Sequence, residues 1–298
     1  MSPAFEDDLL QKYLDDELQR YIVESPLITP FSRLSLLSAN LLAKHYNPDL
    51  VEDTLTAMDV ARELGVRVPR VFRTIICENN AYLIMERIQG TTLEEAWAGL
   101  GWTSTLKLAL QLRRFTKRIR SVTSSTAGSL ATRKCRSFWL EDRFEIPAGS
   151  SPQVITSFIQ FWVDFISIRK AMKAATDDPV PPKGRVPPTA KTLVFTHHDL
   201  APRNIFLDPS GRLWLLDWDY AGFYPRYFEY AAMQNFHIPQ DWTKLARLRW
   251  DIFTWITVGR NERAASVLRK IRSRFTRFAV GRRFEILANR APSGRPIS

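Results

Sequence analysis

One stretch of this 298-residue chain, Thr192 to Tyr230, constrains its fold more than any other, because three polar residues stand there at fixed offsets between short apolar runs. Leu193 to Phe195 form one run, Ile205 to Leu207 a second and Leu213 to Leu216 a third; Asp208-Pro209-Ser210-Gly211, a turn composition, separates the last two. Two strands joined by such a turn pair as a hairpin. The hairpin sets Asn204, just before its first strand, beside Asp217, just after its second, so that a carboxamide and a carboxylate can share a metal ion. Asp199 precedes Asn204 in the polar loop that begins at His197.

The loop reads His197-His198-Asp199-Leu200-Ala201-Pro202-Arg203-Asn204, followed by Asp217-Trp218-Asp219. It resembles the H-R-D-L-x-x-x-N and D-F-G segments of kinases, differing at the Arg and at the Phe-Gly pair. Phosphoryl transfer explains the spacing: it needs a carboxylate to take the acceptor's proton and oxygen ligands for Mg²⁺, and otherwise mainly positioning. Any one of these residues alone could simply cap a turn. Three in register between apolar strands favour the chemical role.

At these residues the chain is similar to the aminoglycoside phosphotransferase and choline kinase superfamily, including fungal members with a D-W-E-Y-A-G-W-Y-P-type motif; the match here is Leu216-Asp217-Trp218-Asp219-Tyr220-Ala221-Gly222-Phe223-Tyr224-Pro225. The resemblance covers about Leu41 to Tyr230. It implies a protein-kinase-like fold, Asp199 as catalytic base with His197 and Asn204 in the catalytic set, and Asn204, Asp217 and Asp219 as the magnesium set. The chain departs at His198, where the family often has Gly, and at Asp219, where it often has Glu. No A-P-E segment follows Asp217, which disfavours a phosphorylation-gated protein kinase.

The nucleotide side is less regular. Lys44, on the apolar run Leu41 to His45, stands where the family's strand lysine contacts the nucleotide phosphates; the alternative is a solvated edge charge. A kinase-like small lobe needs an acid on the following helix to hold that ammonium. Alignment through Met58 puts Thr54 at that position, leaving Glu52 or Asp53 as substitutes. The segment Tyr82 to Gly90 resembles the family's hinge, with Glu86 and Ile88 as the backbone positions that read the base. No glycine precedes Gly65, so a Gly-rich phosphate loop is absent and the Leu36 to Asn40 turn is the only candidate cover.

Composition excludes several classes. With 45% hydrophobic residues the chain can bury a substantial core. Two cysteines and no N-terminal apolar leader point to a reduced, cytoplasmic setting without a disulfide framework or a Cys/His metal site. Its longest apolar run, Val154 to Ile168, is short for a membrane span and contains Gln160 and Asp164, so it reads as a buried helix. Net charge is +11 and unevenly spread, with residues 1–90 at −5 and residues 91–298 at +16. That excess could attract an anionic partner, but no nucleic-acid-binding motif accompanies it.

Periodicity predicts helices over Phe5 to Ile22, Leu50 to Leu64, Thr91 to Ala98, Ser104 to Val122, Trp242 to Val258 and Arg260 to Leu287. Strands are predicted over Phe31 to Leu37, Leu41 to His45, Arg70 to Cys77 and Ala81 to Met85. Arginines on the Ser104 to Val122 helix read as a solvated face, and Asp177 to Pro188 as a proline-bound loop. The aromatic residues from Trp218 to Tyr230 read mainly as core rather than a cation cage.

The expected architecture is α+β, two-lobed and protein-kinase-like: a small antiparallel-sheet lobe over residues 1–88 and a mainly helical lobe over 89–298. The expected activity is transfer of the γ-phosphoryl of ATP or GTP, with Mg²⁺, to a hydroxyl of a small molecule. Bulk charge argues against a polycationic aminoglycoside as acceptor. A silent nucleotide-binding scaffold and a binder of anionic partners are the alternatives.

Overall fold

The computed structural model describes residues 5–29, 33–77, 79–166 and 184–290. The sequence expectations at Phe31, Glu78, Ile168, the first part of the proline-bound loop (177–183) and the C-terminal tail lie outside these residues. Two architectures share the chain. An antiparallel four-stranded sheet of order β1-β2-β4-β3 comprises β1 (Leu34–Leu36), β2 (Leu41–Tyr46), β3 (Val71–Cys77) and β4 (Asn80–Glu86). Beyond it the chain is mostly helical, with small sheets of order β5-β8-β9 and β10-β7-β6 at the junction. These are β5 (Thr91–Thr92), β6 (Thr123–Ser124), β7 (Leu193–Thr196), β8 (Ile205–Leu207), β9 (Leu213–Leu215) and β10 (Gly222–Tyr224).

Helix α1 (Asp15–Glu24) buries Leu18 and Ile22 against Leu41, Ile75 and Ile84 of the large sheet. It is shorter than its periodicity predicts, because the Glu17 carboxylate accepts the Leu14 N–H at 2.8 Å and so caps the helix there. Helix α2 (Pro48–Glu63) starts where Asn47 accepts the Asp49 N–H, with proline in its first turn. It stops at Gly65, whose φ of +71° suits a left-handed cap. Arg118 donates to the Gly65 carbonyl at 2.8 Å.

Thr91 and Thr92 are strand rather than helix: they pair with Leu207 and Phe206, and Thr92 then caps the short α3 (Leu93–Ala96) through the Glu95 N–H. Helix α4 (Trp102–Ile119) buries Leu108, Leu112, Phe115 and Ile119. Its arginines are not all solvated: Arg113 and Arg120 donate to the carbonyls of Ile256 and Val258 at the end of α7 (Lys244–Val258). Helix α5 (Pro152–Asp164) buries Phe158, Ile159 and Trp162, as expected of that apolar run. The last predicted helix divides into α8 (Glu262–Arg277) and α9 (Arg283–Arg290), and Gly281 lies in the break, against Phe165 and Trp162. Helix α6 (Tyr227–Met233) buries Phe228 to Met233 in the core, which includes Trp218 and Tyr224.

Candidate active site

The catalytic-type loop leaves β7 and enters the β8–β9 hairpin. Asp208 closes the hairpin turn: its carboxylate accepts from the Ser210 N–H, the Arg212 N–H and the indole of Trp214, while Gly211 takes φ +76°. At the open end the Leu216 N–H donates to the Asn204 carbonyl at 2.9 Å, so the residue before the first strand and the residue after the second stand side by side. Asp217 follows at φ +65°, a left-handed conformation unusual for a residue with a Cβ.

Asp199 is held from two sides. Asn204 Nδ2 donates to its carboxylate at 2.8 Å and to its carbonyl at 2.9 Å, and Arg203 reaches the same carboxylate at 2.8 Å. Burial pushes the Asp199 carboxyl up to about 6, against the pull of Arg203 and with Asp217 adding to the rise. Arg203, four residues beyond the base, is a partner that the motif reading passed over. The Asn204 Oδ1 has no donor among the described residues and stays available as a ligand.

His197 belongs to the frame of the site rather than to its reacting surface. It is fully buried; its Nε2 meets the Leu216 carbonyl at 2.9 Å and its Nδ1 accepts the Asp199 N–H at 3.3 Å. Burial lowers its pKa to about 4, so the imidazole is neutral and the two contacts specify one tautomer. It therefore ties the hairpin exit to the Asp199 backbone.

His198, also fully buried, adopts φ +68°. In this left-handed region a residue with a Cβ meets a penalty that glycine would not. Here the ring itself offsets that penalty: it stacks 4.3 Å from Tyr224, and its Nε2 lies 2.7 Å from Ser137 Oγ. Beneath both histidines, Glu229 accepts the His197 N–H at 3.1 Å and the His198 N–H at 3.0 Å. Burial raises this carboxyl to about 7, and Arg120 opposes the rise. No spacing rule pointed to Glu229, because α6 reaches the loop only through the tertiary fold.

The Lys44 ammonium lies 2.6 Å from Asp217 and 3.2 Å from Asp219, and 4.5 Å from the centre of the buried Tyr46 ring. Burial would lower its pKa, but Tyr46, Asp217 and Asp219 outweigh that and raise it. For Asp217 burial is outweighed by Lys44, and the carboxyl is lowered; Asp219, with burial and Asp217 both acting on it, rises to about 6. Tyr46 is two residues from Lys44 and on the same strand face, a period that the sequence does show.

The two expected substitutes for the pairing Glu go elsewhere. Glu52 is exposed and makes no ion pair among the described residues. Asp53 is 3% exposed and turns to the large lobe, accepting the Thr132 N–H at 2.8 Å and pairing with Arg136 at 2.5 Å. The Leu36 to Asn40 turn also differs from its expected place. Gln89 binds the Ala39 carbonyl and the Arg87 N–H binds the Asn40 carbonyl, so this turn closes on the segment that follows β4. Lys44 pairs in register with Leu34 at the other end of β1, and Arg33 is the described residue nearest that end. At the hinge, the Glu86 N–H is taken by the Arg70 carbonyl, while the Ile88 N–H has no backbone acceptor among the described residues.

Lys44, Asp199, Arg203, Asp217 and Asp219 line a cavity of about 390 Å³ together with Arg33, Leu50, Arg136, Phe138, Glu141 and Tyr220. Phe138 and Tyr220 meet at 4.1 Å between ring centres. Burial, then Glu141 and Asp199, raise the Tyr220 hydroxyl to about 12, so it is a donor at neutral pH. No group of three or more His, Cys, Asp or Glu converges on one point among the described residues. The oxygen set of Asn204 Oδ1, Asp217 and Asp219 is nevertheless the hard-ligand type that suits Mg²⁺, with Lys44 now lying between the two carboxylates.

Comparison with known proteins bears on the fold and the family. An aminoglycoside-3'-phosphotransferase of type VIII has the same fold, with a TM-score of 0.50 and 16% identity over 88% of this chain and 98% of that one. Choline kinase LicA from Streptococcus pneumoniae superposes with a TM-score of 0.44 and 15% identity over 89% of each chain. Curated proteins gave no match. The model of the phosphotransferase enzyme family, APH, matches residues 33–255, and the chain belongs to that family.

Proposed function

We propose that the protein transfers the γ-phosphoryl of ATP, or of GTP, to a hydroxyl group of a small molecule. The observation that carries this reading is the gripped carboxylate of Asp199, held by Asn204 and Arg203 at the foot of a hairpin that brings Asp217 alongside. In the proposed reaction the acceptor oxygen forms a bond to the γ-phosphorus and the bond from that phosphorus to the β,γ-bridging oxygen breaks. The acceptor's proton passes to Asp199, and the nucleoside diphosphate leaves. A carboxyl raised to about 6 is ionised at neutral pH yet basic enough to take that proton.

Asn204 Oδ1, Asp217 and Asp219 would hold Mg²⁺, which neutralises charge on the phosphate oxygens when bound. Lys44 would then exchange its two carboxylates for phosphate oxygens. Glu86 and Ile88 would present backbone groups to the base, and residues 1–88 and 89–298 would act as the two lobes that enclose the nucleotide. A cytoplasmic reaction would fit such a donor. Among the described residues no helix is long and apolar enough to cross a membrane.

In the basic C-terminal segment Arg272 binds Asn235, Arg274 binds the Trp162 and Val163 carbonyls, and Arg282 pairs with Asp142, so these three charges hold the helical region together. Mg²⁺·ATP thermal shift combined with acceptor-dependent ADP release tests the proposal. A shift with release supports the enzyme; a shift with no release from any hydroxyl acceptor would identify a scaffold instead.

A further inference from the structure

We propose that Arg33 binds the terminal phosphoryl group of the nucleotide, supplying from a side chain the positive charge that no glycine-rich loop is present to supply from backbone amides. This rests on the phosphotransfer reading and deepens it by naming a further residue for that reaction. Arg33 immediately precedes β1; its carbonyl accepts the His45 N–H at 2.8 Å, and its neighbour Leu34 pairs in register with Lys44. On the outer side of β1 the chain runs antiparallel to it, with Leu27 bridging Ser35 and the Ile28 N–H donating to the Leu34 carbonyl at 3.0 Å. The Arg33 backbone is thus held at the Lys44 end of the sheet, and Arg33 lines the cavity with Asp199, Asp217 and Asp219. No glycine stands between Pro26 and Gly65.

The cations of this cavity differ in what they hold. Lys44 lies on Asp217 and Asp219, Arg203 on Asp199, and Arg136 on Asp53. Arg33 makes no ion pair among the described residues. Glu141 makes none either; it accepts the Ser137 N–H at 2.7 Å and does not pair with Arg33. A phosphoryl group entering beside Asp199 brings negative charge to a wall that already carries Asp199, Asp217 and Asp219, and like charges at close range in a half-buried site repel strongly. Mg²⁺ would offset Asp217 and Asp219, but Asp199 must stay ionised to take the acceptor's proton, and Arg203 is already committed to it. Arg33 is the lining cation whose counter-charge is left for a ligand to bring. Its guanidinium presents paired donors that match two oxygens of one phosphoryl group, a geometry that the point charge of an ammonium lacks.

Isothermal titration of the parent chain, Arg33→Gln and Arg33→Lys tests the proposal, with Mg²⁺·ADP and with the Mg²⁺ complex of the non-hydrolysable β,γ-imido analogue of ATP. Arg33→Gln should weaken the ATP analogue by about tenfold, the worth of one charge-assisted hydrogen bond, and ADP by less than about twofold. Arg33→Lys keeps the charge but not the fork, so it should recover only part of the loss. Equal losses for the two nucleotides would put the guanidinium on the inner phosphates, and unchanged affinity for both would leave Arg33 a solvated side chain; either result overturns the inference. Failure of the broader reading looks different: the parent chain would bind both nucleotides, with Arg33 still setting the preference for the ATP analogue, yet ATP would yield no ADP with any alcohol. Binding of neither nucleotide by the parent chain would end both readings.

Discussion

The His197 to Asn204 loop and the Lys44 neighbourhood are both dense in charge, but they are organised in opposite ways. In the loop, each polar group is held by a partner from the helical C-terminal region: Asp199 by Asn204 and Arg203, His197 by Leu216, and both histidine N–H groups by Glu229. At Lys44 the partners are the carboxylates that the chemistry itself would use. The loop is therefore a finished frame before any ligand arrives. Lysine and carboxylates, in contrast, neutralise one another and become available only when other charges replace them. Asp53 underlines the difference, because the acid that could have held Lys44 instead ties α2 to Thr132 and Arg136.

The largest effect should come from the frame. Asp199→Asn removes the proton acceptor and should lower turnover by about 10²-fold or more. Isothermal titration should find Mg²⁺·ATP affinity nearly unchanged; full turnover in this variant would end the assignment of the base. Glu229→Gln replaces a carboxylate that accepts two N–H groups with an amide that offers one oxygen and an opposing NH₂. Loss of one buried acceptor should cost about 1–3 kcal/mol, read as a lower denaturant midpoint. An unaltered midpoint would show that the loop stands without its support.

The pH dependence sharpens the same contrast. Asp199 is active when ionised, and its carboxyl is raised to about 6, so kcat/KM should be level above that pH and fall about tenfold per unit below it. Glu229 works in the other direction on stability. Its folded carboxyl is raised to about 7, above the usual range, so its contribution is fully present below pH ~4.5 and is lost as pH rises through 7. Glu229→Gln should remove that dependence, a change that denaturation curves at several pH values would show.

Smaller effects belong to the lysine region. Lys44→Met should raise KM for ATP and, by removing the competing ammonium, should let Mg²⁺ alone raise the Tm more than it does in the parent protein. Equal Mg²⁺ shifts in the two proteins would show that Lys44 does not compete with a cation for Asp217 and Asp219. Glu52→Ala should change neither KM nor stability by more than about 0.5 kcal/mol, as for an exposed side chain without a partner. A clear rise in KM would restore Glu52 as the lysine's partner.

Much of this was legible in the sequence because it depends on neighbours along the chain. The hairpin around Asp208, the offset from Asp199 to Asn204, and the entry of Asp217 follow from turn chemistry and strand alternation, which act over a few residues. The start and stop of α2 are equally local, at Asn47 and Gly65. Fold class and the positions of Asp199, Asn204 and Asp217 in one loop-and-hairpin unit were therefore determined before any tertiary contact. Lys44's partners, Glu229 under the loop, Asp53 on Arg136, and Phe138 against Tyr220 were decided only by the tertiary structure. Each joins groups tens of residues or more apart, and an acid on a helix surface has the same local signature whichever base it finally meets; burial and charge pairing, which exist only once the chain has closed, select among them.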